Sequence, residues 1–165
     1  MANGKWDAYL TVDGVSGESQ REGHEGEIEL IGFDFGGSNP SSVGVGGGGG
    51  TGTVNLTSFN FVKKTDASSA ELFRHMCTGK HFPTAKLTMY RSAGDSAIDY
   101  LTFNFEEVYV DNMSWSGSEG GDGIPVESVS FSFGAVKITY NEQKPDGTKG
   151  GAHEGGWDLR KGVAI

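Results

Sequence analysis

Three times along this chain an alternating run of apolar residues changes phase part-way through. In residues 27–35, Ile28 and Leu30 alternate in one phase, and Ile31, Phe33 and Phe35 continue in the other. Residues 53–63 repeat the event, Val54 and Leu56 giving way to Phe59 and Phe61; Leu101, Phe103 and Phe105 are likewise followed by Val108 and Val110. Successive side chains of a strand point to opposite faces, so such a shift marks a bulge or bend that re-aims them. A strand that is apolar on opposite faces at its two ends either passes between the sheets of a curled barrel or offers one end to another subunit. Both are expected here.

Period-two alternation recurs through Trp6, Ala8, Leu10 and Val12, and in residues 85–91, 113–115, 126–133 and 135–140. The expected fold is therefore mainly β: a small β-barrel of two curled antiparallel sheets with one flanking α-helix. That helix is placed in Asp66–Gly79. Ser68 and Glu71 have capping-box spacing, Ala70, Phe73, Met76 and Cys77 fall on one apolar face turned to the barrel, and Gly79 ends it. At 165 residues, with no linker separating two cores, residues 1–165 read as a single domain.

Its private core is thin. Leu, Ile, Val and Phe make up about a fifth of the chain, near the level below which chains tend to be disordered. An interface of ~800 Å² per subunit, half of it apolar, would add a gross hydrophobic term of about 10 kcal/mol. Shared surface would thus supply the burial that the isolated chain lacks. Glycine, 28 residues, is concentrated in a long loop at 36–52 and in stretches at 117–123 and 144–156, which read as loops.

The chemistry of catalysis and of nucleic-acid binding is missing from the pattern. A net charge of −9 repels a phosphate backbone, and the longest basic cluster, Lys63-Lys64, reads as a solvated strand end. The glycine stretches fail the Gly-x-x-x-x-Gly-Lys-Ser/Thr spacing that would cradle phosphates. His24, His75, His81 and His153 have no zinc-ligand spacing, and there is no Gly-x-Ser-x-Gly elbow. Glu25, Glu27 and Glu29 alternate as a hydrated strand face; a hydrolase built on them would lose activity on Glu27→Gln. Cys77, the only cysteine, excludes an intrachain disulfide and reads as a core filler rather than a nucleophile. No apolar run is long enough to span a bilayer, and residues 1–7 lack the apolar core of a secretory signal. No cofactor, metal or membrane insertion is expected. A monomeric β-barrel enclosing a small apolar ligand remains as the alternative.

An ordered set of short motifs runs nearly end to end. It comprises Asp13, Gly14, Gly17, Glu18 and Ser19 after the first strand, His24 and Glu27-Ile28-Glu29 into the second, Asp66-Ala67-Ser68 with Leu72 in the helix, and Gly79-Lys80-His81. It continues with Tyr100-Leu101, Glu127, Val129 and Phe131-Ser132-Phe133, then Tyr140, Gln143-Lys144, Asp146-Gly147, Lys149-Gly150 and Gly156-Trp157-Asp158. In these residues the chain resembles the haemolysin-coregulated protein (Hcp) family, the tube-forming component of bacterial type VI secretion systems. The resemblance implies six-membered rings stacked into a hollow tube inside a contractile sheath, tipped by a spike protein of the valine-glycine-repeat family. It also implies effector proteins held in the lumen, synthesis in the bacterial cytoplasm, and export through the type VI apparatus without a signal peptide. The 36–52 loop is longer and richer in glycine than the family pattern, and residues 159–165 depart from the usual ending, so no role is carried over to the latter. Gly36, Ser38, Asn39, Pro40, Val43, Val45 and Gly48 are assigned to ring stacking. Ser128, Ser130 and Ser132 are the candidates for the lumen wall.

Overall fold

The computed structural model describes residues 7–40, 52–93 and 96–165. Among these, eleven strands and one helix follow one another: β1 (Asp7–Val12), β2 (Ile28–Glu29), β3 (Gly32–Asp34), β4 (Gly37–Ser38), β5 (Asn55–Leu56), β6 (Phe59–Lys64), α1 (Ser69–Thr78), β7 (Phe82–Ala93), β8 (Ser96–Ser116), β9 (Val126–Gln143), β10 (Lys149–Asp158) and β11 (Val163–Ala164). All pairings are antiparallel. The main sheet runs β11-β10-β9-β8-β7-β1-β2, and β6, with β3 on its far side, pairs the first part of β9. Because β8 and β9 are long, one end of their ribbon belongs to the β3-β6 side and the other to the β7-β1 and β10 side. The sheets therefore curl around a shared core.

The phase shifts are where the chain bends. Leu30 and Ile31 break the first such run into β2 and β3, and Thr57 and Ser58 break the second into β5 and β6. In β8 the change falls at Glu107, whose φ of 52° is the only positive value at a described non-glycine residue. This kink, across which β8 keeps its register with β9 (Glu106 opposite Ala135, Val108 opposite Phe133), lets Phe103 and Phe105 before it, and Val108 and Val110 after it, face the same interior. There Phe59 packs 4.9 Å from Phe105, Phe61 5.0 Å from Phe131, and Phe105 5.0 Å from Phe133, ring centre to ring centre. Such aromatic pairs add to the burial term.

Mainly-β architecture with one flanking helix is thus as expected, but strand pairing does not close a barrel. The chain itself passes from the β1-β2 pair to the β3-β6 pair through Leu30, whose N–H donates to the Ala8 carbonyl at 3.0 Å, and Ile31, whose N–H donates to the Val62 carbonyl at 2.7 Å. Residues 126–133 and 135–140 are one strand, and residues 113–115 continue β8. The glycine stretch at 144–156, expected as a loop, instead carries most of β10. Gly156 allows close packing: a Cβ there would sit 2.8 Å from the Val136 carbonyl oxygen.

Helix α1 departs further. Gly79 ends it in the left-handed conformation at φ 70°, as expected. Ser68 is the N-cap residue but makes no capping bond, its hydroxyl being turned to Asp66 instead. The buried residues are Ser69 and Leu72, whereas Ala70, Phe73 and Cys77 are exposed. Of the apolar face read as core, Met76 alone packs partly buried against the core; Ala70 and Phe73 lie outside, and Cys77 fills no core.

Candidate functional site

The motif residues of the first half converge on one corner. After β1, Gly14 turns the chain at φ 77°, and Gly17 lies so close to β2 that a Cβ there would meet the Glu27 carbonyl oxygen at 2.4 Å. Backbone bonds from Gly17 to Gly26 and from Ser19 to Glu27 zip this loop. Glu18 then reaches the helix, its Oε2 accepting the Ala67 N–H at 2.9 Å, an anion at a helix start. His24 stacks on Tyr9 with ring centres 4.4 Å apart, lies 4.3 Å from Tyr90, and places Nδ1 3.1 Å from Glu27 Oε2. Burial pushes the hydroxyls of Tyr9 and Tyr90 above the usual phenol range. Of the expected glutamate row only Glu29 lies in a strand, and Glu27 is engaged by His24.

The same corner holds a group that sequence reasoning misplaced. Lys63, read as a solvated strand end, is fully buried. It sits on the core face of β6 opposite Glu127 of β9, beneath the start of α1. Its ammonium donates to Glu127 Oε2 at 2.5 Å, Asp66 Oδ1 at 2.9 Å, Ser69 Oγ at 2.9 Å and the Lys64 carbonyl at 3.2 Å. Ser69 Oγ in turn donates to Glu127 Oε2 at 2.7 Å. Only the alternation Phe59, Phe61, Lys63 could have flagged it. Lys64 alone is exposed, paired with Asp122.

Motif residues of the second half hold turns. His81 lies 5.4 Å from the Tyr109 ring, and Lys80 beside it is exposed. In the β9-β10 turn Asp146 accepts the Thr148 N–H and hydroxyl, which lowers its carboxyl below the usual range; Gly147 has φ 87° and Lys144 N–H bonds the Thr148 carbonyl. Gln143 points its amide to the Gly147 carbonyl at 3.5 Å. Trp157 pairs across to Ala164. Asp158 closes the last turn by accepting the N–H groups of Arg160 and Lys161, and Arg160 also reaches Glu106 and Glu107. The Arg160 hydrogen bonds hold the Asp158 carboxyl below its ordinary range, and the three carboxylates raise the guanidinium's proton affinity.

Two surfaces remain. Ser128, Ser130 and Ser132 lie on the outward face of β9, within a hydrogen-bonded polar band. Asn60 donates to Asp34 at 2.8 Å and receives Ser130, while Asp111 accepts Ser58 at 3.1 Å and Ser132 at 2.9 Å. The arm formed by β4 and β5 stands apart as a two-stranded sheet carrying Gly36, Ser38, Asn39 and Pro40; Val43, Val45 and Gly48 lie outside the described residues. Between arm and body is a slot of about 560 Å³ lined by Phe35, Ser38, Val54, Leu56, Phe103 and Ile138 among others. Among the described residues no group of His, Cys, Asp and Glu is arranged to hold a metal ion, and no helix is long and apolar enough to cross a membrane.

A family model described as "Type VI secretion system effector, Hcp" matches residues 9–140. Protein hcp1 of Pseudomonas aeruginosa is 37% identical over 158 residues, covering 95% of this chain and 97% of that protein. The chain belongs to the Hcp family. Solved structures agree in fold: one described as a type six secretion system protein has a TM-score of 0.91 at 30% identity, covering 98% of this chain and 100% of the other. Hcp1 from Salmonella typhimurium has a TM-score of 0.81 at 31% identity, covering 97% and 99%. Hcp is a β-rich protein of type VI secretion, and its family is not one of enzymes. Hcp membership places the chain in a self-associating secretion assembly.

Proposed function

We propose that this Hcp is the structural tube subunit of a type VI system. Six copies close into a ring, rings stack into a hollow tube, and a contractile sheath expels the tube with a valine-glycine-repeat spike at its tip. The whole of residues 1–165 acts as one domain without a cofactor. It is made in the cytoplasm and leaves through the apparatus without a signal peptide, and effector proteins ride in the lumen against the polar band of Ser128, Ser130 and Ser132. A wall of hydroxyls and carboxylates suits that task, because an apolar wall would retain its cargo.

The observation that carries this reading is the near-complete match to Hcp in a chain whose described residues expose Phe73 and Trp115 at one end of the β8-β9 ribbon and Ile138 at the other. Stacking rests on the arm at 36–52. An isolated two-stranded hairpin is marginal in water, so the arm gains from a neighbour. Deleting residues 44–50, outside the described region, leaves six-fold annuli in electron micrographs and abolishes tubes; tubes of normal length would refute the assignment. The ligand-binding monomer has less support, because phenylalanines fill the space between the sheets.

A further inference from the structure

Among the described residues, two surfaces with exposed apolar side chains lie at opposite ends of the β8-β9 ribbon. At one end Phe73 of α1 stacks edge-on against Trp115 of β8 with ring centres 5.8 Å apart, and each is 44% exposed. Ala70 and Cys77, one turn either side of Phe73 on the same helix face, extend this ridge. At the other end is the slot, with Phe103 of β8 and Ile138 of β9 paired across its floor and Ile138 37% exposed. Beside Ile138, Gly155 of β10 leaves the floor open: a Cβ there would meet nothing within 4 Å.

We propose that the Phe73-Trp115 ridge of one copy seats in the Phe35-Leu56-Ile138 slot of the next. Neither surface can cover the other within one chain. Trp115 lies twelve positions beyond Phe103 along β8, on the order of 30–40 Å at roughly 3.3 Å per residue. A slot of about 560 Å³ falls within the ~300–1,000 Å³ range of pockets that enclose compact apolar groups. Each copy carries one ridge and one slot, so the contact is head-to-tail, the kind that generates rings when its rotation closes. The inference rests on the self-assembly reading and adds which surfaces meet.

The single native cysteine provides the test. Full-length wild type, whose only thiol is Cys77, is co-expressed with a size-tagged Cys77→Ser/Gly155→Cys chain, and assembled particles are treated with a short bis-maleimide. Heterodimers linking Cys77 to Cys at position 155 are expected to dominate over both homodimers. Phe73→Asp and Ile138→Asp, each at an already exposed side chain, are expected to raise the concentration needed for assembly at least tenfold while the circular dichroism stays unchanged. Particles that assemble normally yet link no such heterodimer, or that tolerate both charges, overturn the ridge-and-slot contact and leave the ring reading standing. A wild type that stays monomeric at every concentration overturns both. Ridge-to-slot links that trap an unrelated protein in place of a second copy overturn the choice of occupant.

Discussion

At the scale of residues, Lys63 and Glu127 show how far a fold can lean on a charge it hides. Two strand neighbours place opposite charges on the core face, and the start of α1 seals them with Asp66 and Ser69. Within the protein, Glu127 takes its hydrogen bonds from Lys63 and Ser69 through Oε2. Breaking such a pair from one side leaves the other charge uncompensated, at about 3–5 kcal/mol, whereas replacing both with apolar residues is often neutral or stabilising. Lys63→Met is therefore expected to lower the urea midpoint sharply, and Lys63→Met/Glu127→Leu to recover most of the loss. A single change that left the midpoint unaltered would show that the network contributes little. This lysine was illegible because charge is read as exposure. The alternation with Phe59 and Phe61 contradicted that reading, but the opposing carboxylate 64 residues away could not be seen.

At the scale of elements, the phase shifts carried the most information, since each of the three marks a break or a backbone kink. Helix α1 was located correctly and faced wrongly. Its residues Ala70, Phe73 and Cys77 form an apolar stripe whatever they pack on, and sequence periodicity cannot distinguish a partner within the chain from one outside it. Strand β10 escaped detection because Gly150, Gly151, Gly155 and Gly156 suppress the alternation that identifies strands. The final hairpin owes its order to Asp158 and Arg160. A carboxyl held below its ordinary range in the folded state stabilises at pH values above the unfolded range and loses that contribution as pH falls through the folded value. Hydrogen exchange in β11, taken relative to the intrinsic rate at each pH, is accordingly expected to be slow and flat from neutrality to about pH 4, near the ordinary aspartate range, and to quicken below it. Asp158→Asn should quicken it at neutral pH as well. Exchange already fast in the wild type at pH 7 would count against the clasp.

At the scale of the whole molecule, fold class and family were legible from ordered motifs, and the structure explains many of them as turn, cap and close-packing residues. Gly17, Glu18, Gly79, Asp146, Gly147 and Asp158 position backbone. What the motifs did not reveal is the pair of apolar surfaces at the two ends of the β8-β9 ribbon, because each is assembled from residues far apart in the chain. Their existence fits a protein whose working form is an assembly. Sedimentation of the purified chain across a wide concentration range tests this most directly. The account predicts a particle six times the 17.4 kDa subunit mass that gives way to smaller species on dilution, and a stable monomer at the highest concentration would contradict it.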